Sequence, residues 1–101
     1  FSSAVAVVRA QVQQEPSSVE TTEGTGISMN CSHPKIQMSE YIHWYRQFPG
    51  RGPEHIEFIL KGSKELRDPP GRLSVAKDRR SSSLWLQHPQ RRDAAVYYCG
   101  L

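Results

Sequence analysis

The feature that most restricts the fold of this chain is the segment Asp93 to Cys99, with the sequence DAAVYYC. Tyr97 stands two residues before Cys99, which is the spacing of a tyrosine whose hydroxyl bonds back to upstream backbone at the corner of a two-sheet sandwich. Upstream, Cys31 and Trp44 complete a Cys…Trp…Cys order. In such an order the cysteines face each other across two sheets and the indole packs over them. The pattern predicts an all-β antiparallel sandwich with these four side chains in its core.

The size of the chain makes a cross-link valuable. With 101 residues, of which 37% are hydrophobic, the chain can form one domain with a thin core. In the chain-entropy model, a bridge between Cys31 and Cys99 is worth roughly 4 kcal/mol. Neither cysteine belongs to a C-x-x-C motif, so a disulfide formed in an oxidising compartment fits better than a zinc site. Two unpaired thiols in a cytosolic protein are the alternative.

The charge pattern argues against a nucleic-acid partner. The net charge is +3 and the sequence pI about 9.1. The pairs Arg79-Arg80 and Arg91-Arg92 fall in predicted turns, with no aromatic residues between them to stack on bases, so a solvated surface is the better interpretation. No apolar run approaches the ~20 residues needed to cross a bilayer.

The first ten residues differ in character from the rest. Phe1 to Ala10 reads FSSAVAVVRA, which resembles the tail of a secretory signal peptide with a cleavage site after Ala10. An ordinary N-terminal extension or an edge strand is the alternative. On the first interpretation, the mature domain spans 11–101.

Short alternating segments separated by turn signals predict antiparallel strands. The predicted strands are Gln11 to Glu15, Ile27 to Ser32, Tyr41 to Gln47, Glu54 to Leu60, Arg72 to Val75, Ser83 to Leu86 and the segment around Tyr97. The intervening segment Lys61 to Pro70 is predicted to be a loop.

The strand at Tyr41 to Gln47 has an unusual outward face. Alternation sends Ile42 and Trp44 inward. Tyr41, His43, Tyr45 and Gln47 then face outward together, which indicates a surface covered by something other than water. We also expect His55 and Glu57 to share one face of the next strand and to line the same surface.

Three phrases carry a family resemblance: Trp44 to Gly50 (WYRQFPG), Asp78 to Leu84 (DRRSSSL) and Asp93 to Cys99. With them the chain resembles a T-cell receptor variable domain, and the alpha chain in particular, over about Gln11 to Leu101. The cysteine, tryptophan and tyrosine frame is shared by all variable-type immunoglobulin domains, so it specifies the fold. The phrases DRRSSSL and Gly52-Pro53-Glu54 separate receptor from antibody, and they are weaker evidence than the frame. The resemblance implies an immunoglobulin-like, variable-type Greek-key sandwich.

The resemblance also implies a set of binding residues. The first hypervariable loop would comprise His33, Pro34, Lys35, Ile36, Gln37, Met38, Ser39 and Glu40. The second would comprise Leu60, Lys61, Gly62, Ser63, Lys64, Glu65 and Leu66, and the third would begin at Gly100. In such receptors these loops contact a peptide held by a major histocompatibility (MHC) molecule. A second variable domain, here a beta chain, would pack against Tyr45, Gln47, Pro53 and Tyr98, and no cofactor or metal is implied.

Family domains commonly carry an ion pair that fixes the bottom of the sandwich, here Arg72 with Asp93. A bidentate, partly buried pair would be structural, and a solvated pair would contribute little.

The chain departs from the family pattern in three respects. It ends two residues after Cys99, so we interpret it as a germline-encoded variable segment without the joining segment and the last strand. Pro89 and Arg91 stand where the family usually buries aliphatic residues. Trp85 takes an outer-face position that is usually small and polar, where it either covers arginine stems or stays an exposed ring.

Other functions fit the residues less well. An enzyme is disfavoured because the four histidines form no metal, nucleophile or acid–base pattern at a known spacing. The remaining alternatives are a delta-chain variable domain, an antibody light-chain variable domain and a single-domain cell-surface receptor. For the receptor interpretation we expect display on the extracellular side of the plasma membrane as part of a receptor complex, with membrane attachment through segments outside this sequence.

Overall fold

The computed structural model describes residues 13–15 and 26–101 of the chain. Within these residues the chain forms eight strands and one 3₁₀ turn. The strands are β1 (Gln13–Glu15), β2 (Ile27–Ser32), β3 (Ile42–Gln47), β4 (Glu54–Ile59), β5 (Ser63–Arg67), β6 (Pro70–Val75), β7 (Ser81–Leu86) and β8 (Val96–Gly100), and the 3₁₀ turn is Arg91–Asp93. The predicted leader at 1–10 lies outside the described residues.

The strands form two antiparallel sheets. One has the order β1-β2-β7-β6-β5 and the other the order β4-β3-β8. Strands that are distant in sequence, such as β2 and β7 or β3 and β8, are neighbours in space, as in a Greek key. The predicted two-sheet sandwich is therefore confirmed.

The core lies between the sheets and is closed by the predicted disulfide. Leu84 and Leu86 alternate with outward residues along β7, and Leu73 does the same on β6. Cys31 on β2 is bonded to Cys99 on β8, with their Cα atoms 6.5 Å apart. The bridge thus joins the five-stranded sheet to the three-stranded one. Around it cluster the side chains of Met29, Ile42, Trp44, Ile59, Leu73, Leu84, Leu86 and Tyr97.

The tyrosine corner forms as the sequence predicts. The Tyr97 hydroxyl donates to the backbone oxygen of Asp93 at 2.7 Å in a buried position. Burial raises the pKa of Tyr97 to about 12, and the nearby Asp93 carboxylate adds to the shift. The phenol therefore remains a hydrogen-bond donor at every pH at which the protein is expected to work.

The predicted ion pair between Arg72 and Asp93 is wrong. Arg72 follows the outward alternation of β6, because Leu73 beside it is buried, and its Nε donates to Glu65 Oε2 at 2.6 Å between two exposed side chains. Asp93 instead accepts from the backbone nitrogen of Gln90 at 2.8 Å, which closes the 3₁₀ turn.

Arg46 on β3 has the partly buried position that was expected of Arg72. Its side chain is 12% exposed and its Nε donates to Glu54 Oε1 at 2.6 Å. A second nitrogen lies 3.4 Å from Asp68 Oδ2, and the guanidinium carbon is 4.9 Å from the centre of the Phe48 ring. These contacts link β3 to β4 and to the turn before β6.

The strand β5 lies inside the segment predicted to be a loop. Its residues are mostly exposed and polar, so they show no alternation of apolar side chains that a sequence pattern could detect. The strand is held by its antiparallel ladder with β6, from Ser63 opposite Ser74 to Arg67 opposite Pro70.

The unusual residues near the corner are accommodated locally. Pro89 is buried, whereas Arg91 is exposed at the start of the 3₁₀ turn. Trp85 is 39% exposed on the outer face of β7, and its indole nitrogen lies beside Gly26. The arginine observed over an aromatic ring in the described residues is Arg46, on Phe48.

The close approach of β6 to β7 generates a stability prediction. A methyl group added at Gly71 would lie 1.9 Å from the backbone oxygen of Trp85, so Gly71→Ala must push the two strands apart. We expect a loss of about 1–3 kcal/mol in the free energy of unfolding, measured by urea denaturation. Gly52→Ala is the matched control, because nothing lies within 4 Å of its added methyl group. Equal stability of the two variants would contradict the packing described here.

The exchange of roles between Arg46 and Arg72 generates a second prediction. Arg46→Ala removes an arginine that is largely buried against Phe48 and bonded to Glu54, so we expect a loss of about 1–2 kcal/mol. Arg72→Ala removes an exposed pair and should change stability by less than about 0.5 kcal/mol. Urea denaturation of both variants tests this, and a larger loss for Arg72→Ala would restore the original assignment.

Candidate binding surfaces

The outer face of the three-stranded sheet carries a continuous group of rings, which we call the aromatic face. The ring centroids of Tyr45 and Tyr98 are 5.6 Å apart in a stacked arrangement. Those of Tyr41 and Phe58 are 5.4 Å apart, edge to face, and both rings are 43% exposed. The aromatic face comprises Tyr41, His43, Tyr45, His55, Phe58 and Tyr98. The outward direction predicted for the β3 aromatics is therefore observed.

A β-bulge brings His55 into the aromatic face. The register between β3 and β4 shifts between Trp44 and Tyr45, so that Glu57 lies opposite Trp44 while His55 lies opposite Tyr45. Glu57 pairs instead with Lys64 of β5 at 3.2 Å. The expectation that His55 and Glu57 share one strand face is therefore wrong, because a bulge inverts the alternation that the expectation assumed.

Two imidazoles meet at the centre of the aromatic face. His43 Nδ1 and His55 Nε2 are 3.0 Å apart, a contact that requires one of the two nitrogens to be unprotonated. Burial lowers the pKa of His43, and the charge on His55 lowers it further. The neutral form of His43 is thus favoured at the centre of the aromatic face.

The other predicted interface residues are Gln47, at the end of β3, and Pro53, before β4. Gln47 is half-buried and its Nε2 donates to the backbone oxygen of Arg51 at 2.6 Å. This bond fixes the orientation of the amide and leaves its oxygen and second N–H to meet a partner. Pro53 is exposed in the turn before β4. The structure therefore places Tyr45, Gln47 and Tyr98 on the neighbouring strands β3 and β8, and Pro53 in the turn that leads into β4.

The first predicted loop divides into buried and displayed positions. His33 is 0% exposed, and its Nε2 lies 3.1 Å from Ser82 Oγ. Its assignment as an antigen-contacting residue is therefore wrong, since a residue packed under the loop cannot touch a ligand. Ile36 is half-buried against the core, whereas Met38 is 90% exposed. The Glu40 carboxylate accepts from the Gln37 backbone nitrogen at 2.7 Å and closes the tip.

The second predicted loop is shorter than the resemblance implied. Only Leu60, Lys61 and Gly62 separate β4 from β5, with Gly62 in the left-handed conformation (φ 79°) that the turn requires. The residues from Ser63 onward lie in β5, and Leu66 is half-buried against the core. Gly100 is likewise part of a strand, buried in β8 opposite His43, so the start of the third loop at Gly100 is corrected.

Arg79 is a residue that motif analysis did not assign to the site. It lies in the turn between β6 and β7, and its guanidinium donates to backbone oxygens of both predicted loops. The sequence offers no signal for this contact except an arginine in a turn, because the loops and the turn meet only in the folded sandwich.

The described residues show neither a metal centre nor a membrane helix. Within 13–15 and 26–101, no group of three or more His, Cys, Asp and Glu side chains is arranged to hold a metal ion. Across the same residues, no helix combines the length and apolar character needed to cross a membrane.

Comparisons with known proteins agree on one family. Residues 14–101 match the immunoglobulin V-set domain model. Human T cell receptor alpha variable 26-1 is 39% identical, covering 84% of this chain and 76% of that protein. Human T cell receptor alpha variable 23/delta variable 6 is 33% identical, covering 88% and 73%. A crystal structure of chicken TCR superposes with a TM-score of 0.80 at 64% identity, covering 88% of this chain and 45% of that chain.

The burial of His33 predicts a pH-dependent stability. Burial lowers its pKa, so the folded state holds the neutral imidazole while the unfolded chain protonates near pH 6.5. The free energy of unfolding is therefore at its full value above pH 6.5 and falls as the solution is acidified below it. The total loss is about 1.4 kcal/mol for each unit by which the folded-state pKa of His33 lies below the unfolded-state pKa.

Urea denaturation between pH 7.5 and 5 would measure the dependence in the wild-type chain and in His33→Gln. We expect a weaker pH dependence in His33→Gln than in the wild type. Parallel curves for wild type and His33→Gln would refute the role of His33.

Proposed function

The chain belongs to the immunoglobulin V-set family and is a T-cell receptor variable domain, and from this we propose that it is the antigen-recognition module of an alpha chain. Its family is not enzymatic. The proposal has two parts, which are the pairing of the aromatic face with a second variable domain and the recognition of peptide–MHC by the loops. The observation that carries the first part is the stacked pair Tyr45–Tyr98 on an outward sheet face.

The aromatic face has the chemistry of a protein interface rather than of a solvated surface. Tyr41 and Phe58 leave large apolar areas in contact with water, which is unfavourable unless a partner covers them. Tyrosine rings held by stacking lose little side-chain entropy on association, and their hydroxyls can form hydrogen bonds at the rim. We propose that the partner is a beta-chain variable domain, which also meets Gln47 and Pro53.

The loop end of the sandwich supplies the second surface. Met38, Lys35 and Lys61 are exposed there, and we propose that they contact an MHC molecule and its bound peptide. Specificity would be shared with a third loop that follows β8. This function implies an extracellular position at the cell surface, secretion directed by a leader that ends at residue 10, and attachment through segments outside this sequence.

A delta-chain variable domain is the second candidate. It is favoured by one observation, the similarity to the human protein named T cell receptor alpha variable 23/delta variable 6. The two candidates differ in the partner, since a delta chain would pair with a gamma chain. A partner series therefore separates them.

The pairing proposal predicts the effect of a charge on the aromatic face. Tyr45→Asp should weaken association with a beta-chain variable domain by roughly 30-fold, because a central aromatic contact is lost and a carboxylate is buried. Tyr45→Phe keeps the ring and should bind within about 3-fold of the wild type. Sedimentation equilibrium of mixed variable domains, with melting curves to show that each is folded, gives the constants.

The control for this experiment lies on the opposite sheet. Trp85→Ser removes an exposed ring of the outer face of β7 and should leave pairing unchanged. Association of Tyr45→Asp at wild-type strength would show that the aromatic face is not the interface. Binding to a gamma-chain domain in preference to a beta-chain domain would favour the delta alternative.

A further inference from the structure

We propose that Arg79 is a positioning residue that fixes the first and second loops to each other and so sets the shape of the loop surface. The inference concerns the conformation of the loops, and its meaning for recognition rests on the proposed function. The residue belongs to the turn between β6 and β7 and reaches across the end of the sandwich to both loops.

The guanidinium forms bonds to four backbone carbonyls. Its Nε donates to Leu60 O at 2.8 Å, and its Nη1 donates to Gln37 O at 3.1 Å and to Met38 O at 3.0 Å. Its Nη2 donates to Glu40 O. Leu60 belongs to the second loop and the other three carbonyls to the first, so one side chain connects both loops to the five-stranded sheet.

Arginine suits this task because of its geometry. The planar guanidinium presents five N–H donors in fixed directions, and here three different nitrogens serve carbonyls that converge from two loops. Lysine would place its three donors on one atom, so it cannot match carbonyls that meet three separate nitrogens. The bonds to Leu60 O and Glu40 O are part-buried, so the guanidinium also satisfies two acceptors that are partly shielded from water.

The backbone of Arg79 has an unfavourable conformation, which the hydrogen bonds of its side chain offset. Its φ is 60°, in the left-handed region, which costs a residue with a Cβ about 1–2 kcal/mol. The turn holds this conformation with bonds from Arg79 N to Ala76 O at 2.9 Å and from Arg80 N to Asp78 Oδ1 at 2.9 Å. Glycine would adopt the same φ without strain, so the turn alone gives no reason for an arginine.

The same turn is attached to the base of the first loop. The backbone nitrogen of His33 donates to Arg80 O at 2.8 Å. The first loop is therefore held at its base by the backbone of the turn and at its tip by the Arg79 side chain. The exposed Met38 projects from a backbone segment that is fixed on both sides.

A loop surface that is ordered before binding loses less conformational entropy when a ligand docks. Arg79 acts through loop carbonyls, so its contribution to recognition would be to restrict the conformations in which Met38 and Lys61 are displayed. The structure thus assigns to the β6–β7 turn a role in the shape of two other loops.

The test is local hydrogen exchange of Arg79→Gly, measured by mass spectrometry on the whole chain. Glycine adopts the left-handed conformation of the turn without strain and removes the side-chain bonds. We expect the amides of Ile36, Gln37 and Glu40, which are bonded within the first loop, to exchange at least about 10-fold faster. Amides of β3 and β7 should be unchanged.

Two variants complete the design. Arg80→Ala removes an equal charge from the adjacent, exposed position and should leave loop exchange as in the wild type. Arg79→Lys keeps the charge and should behave like Arg79→Gly, because the proposal depends on the geometry of the donors.

The outcomes that overturn the proposal are distinct. Unchanged loop exchange in Arg79→Gly would show that the bonds do not hold the loops. An equal acceleration in β3 and β7 would make Arg79 a residue of general stability, and full protection in Arg79→Lys would assign the effect to charge alone. The measurement needs no ligand, so failure of peptide–MHC recognition would refute the proposed function without affecting this result.

Discussion

The bond between Cys31 and Cys99 is the constraint on which the rest of the structure depends. It joins strands that are 68 positions apart in sequence and belong to different sheets. Trp44, which is fully buried beside it, fills the space between the layers. Once these residues point inward, the period of two along β3 and β8 fixes what points outward. The aromatic face is therefore a geometric consequence of the same frame that closes the core.

Sequence reasoning was most successful where one fixed period governs the structure. The disulfide, the tyrosine corner and the outward rings of β3 follow from spacing and alternation, and all are observed. It failed where backbone pairing or a change of period determines whether a segment is a strand or which way a side chain points. The polar strand β5 is held by its ladder with β6 and carries no apolar pattern, and the bulge at Tyr45 reverses the face of His55. Neither is encoded in a local spacing of side chains.

The charged residues show a different limit. Arg46, Arg72 and Arg79 are the same residue type but have three different roles. Arg46 packs on the Phe48 ring, Arg72 forms an exposed ion pair with Glu65, and Arg79 donates to loop carbonyls. A long side chain reaches partners that only the tertiary fold assembles, so residue type alone could not assign these roles. For the same reason His33, whose position in a polar segment indicated a displayed loop residue, proved to be packed beneath the loop against Ser82.

The passage from β4 to β5 carries the chain from one layer of the sandwich to the other within Leu60, Lys61 and Gly62. Such a short segment cannot easily change its path, because both of its ends are anchored in hydrogen-bonded ladders. The backbone oxygens of Leu60 and Gly62 also accept hydrogen bonds, from Arg79 and Val75 respectively. Diversity at this point of the surface must therefore come from the chemistry of the side chains and not from the length of the segment. The first loop has a longer path between β2 and β3, so a change in the number of its residues is easier to accommodate.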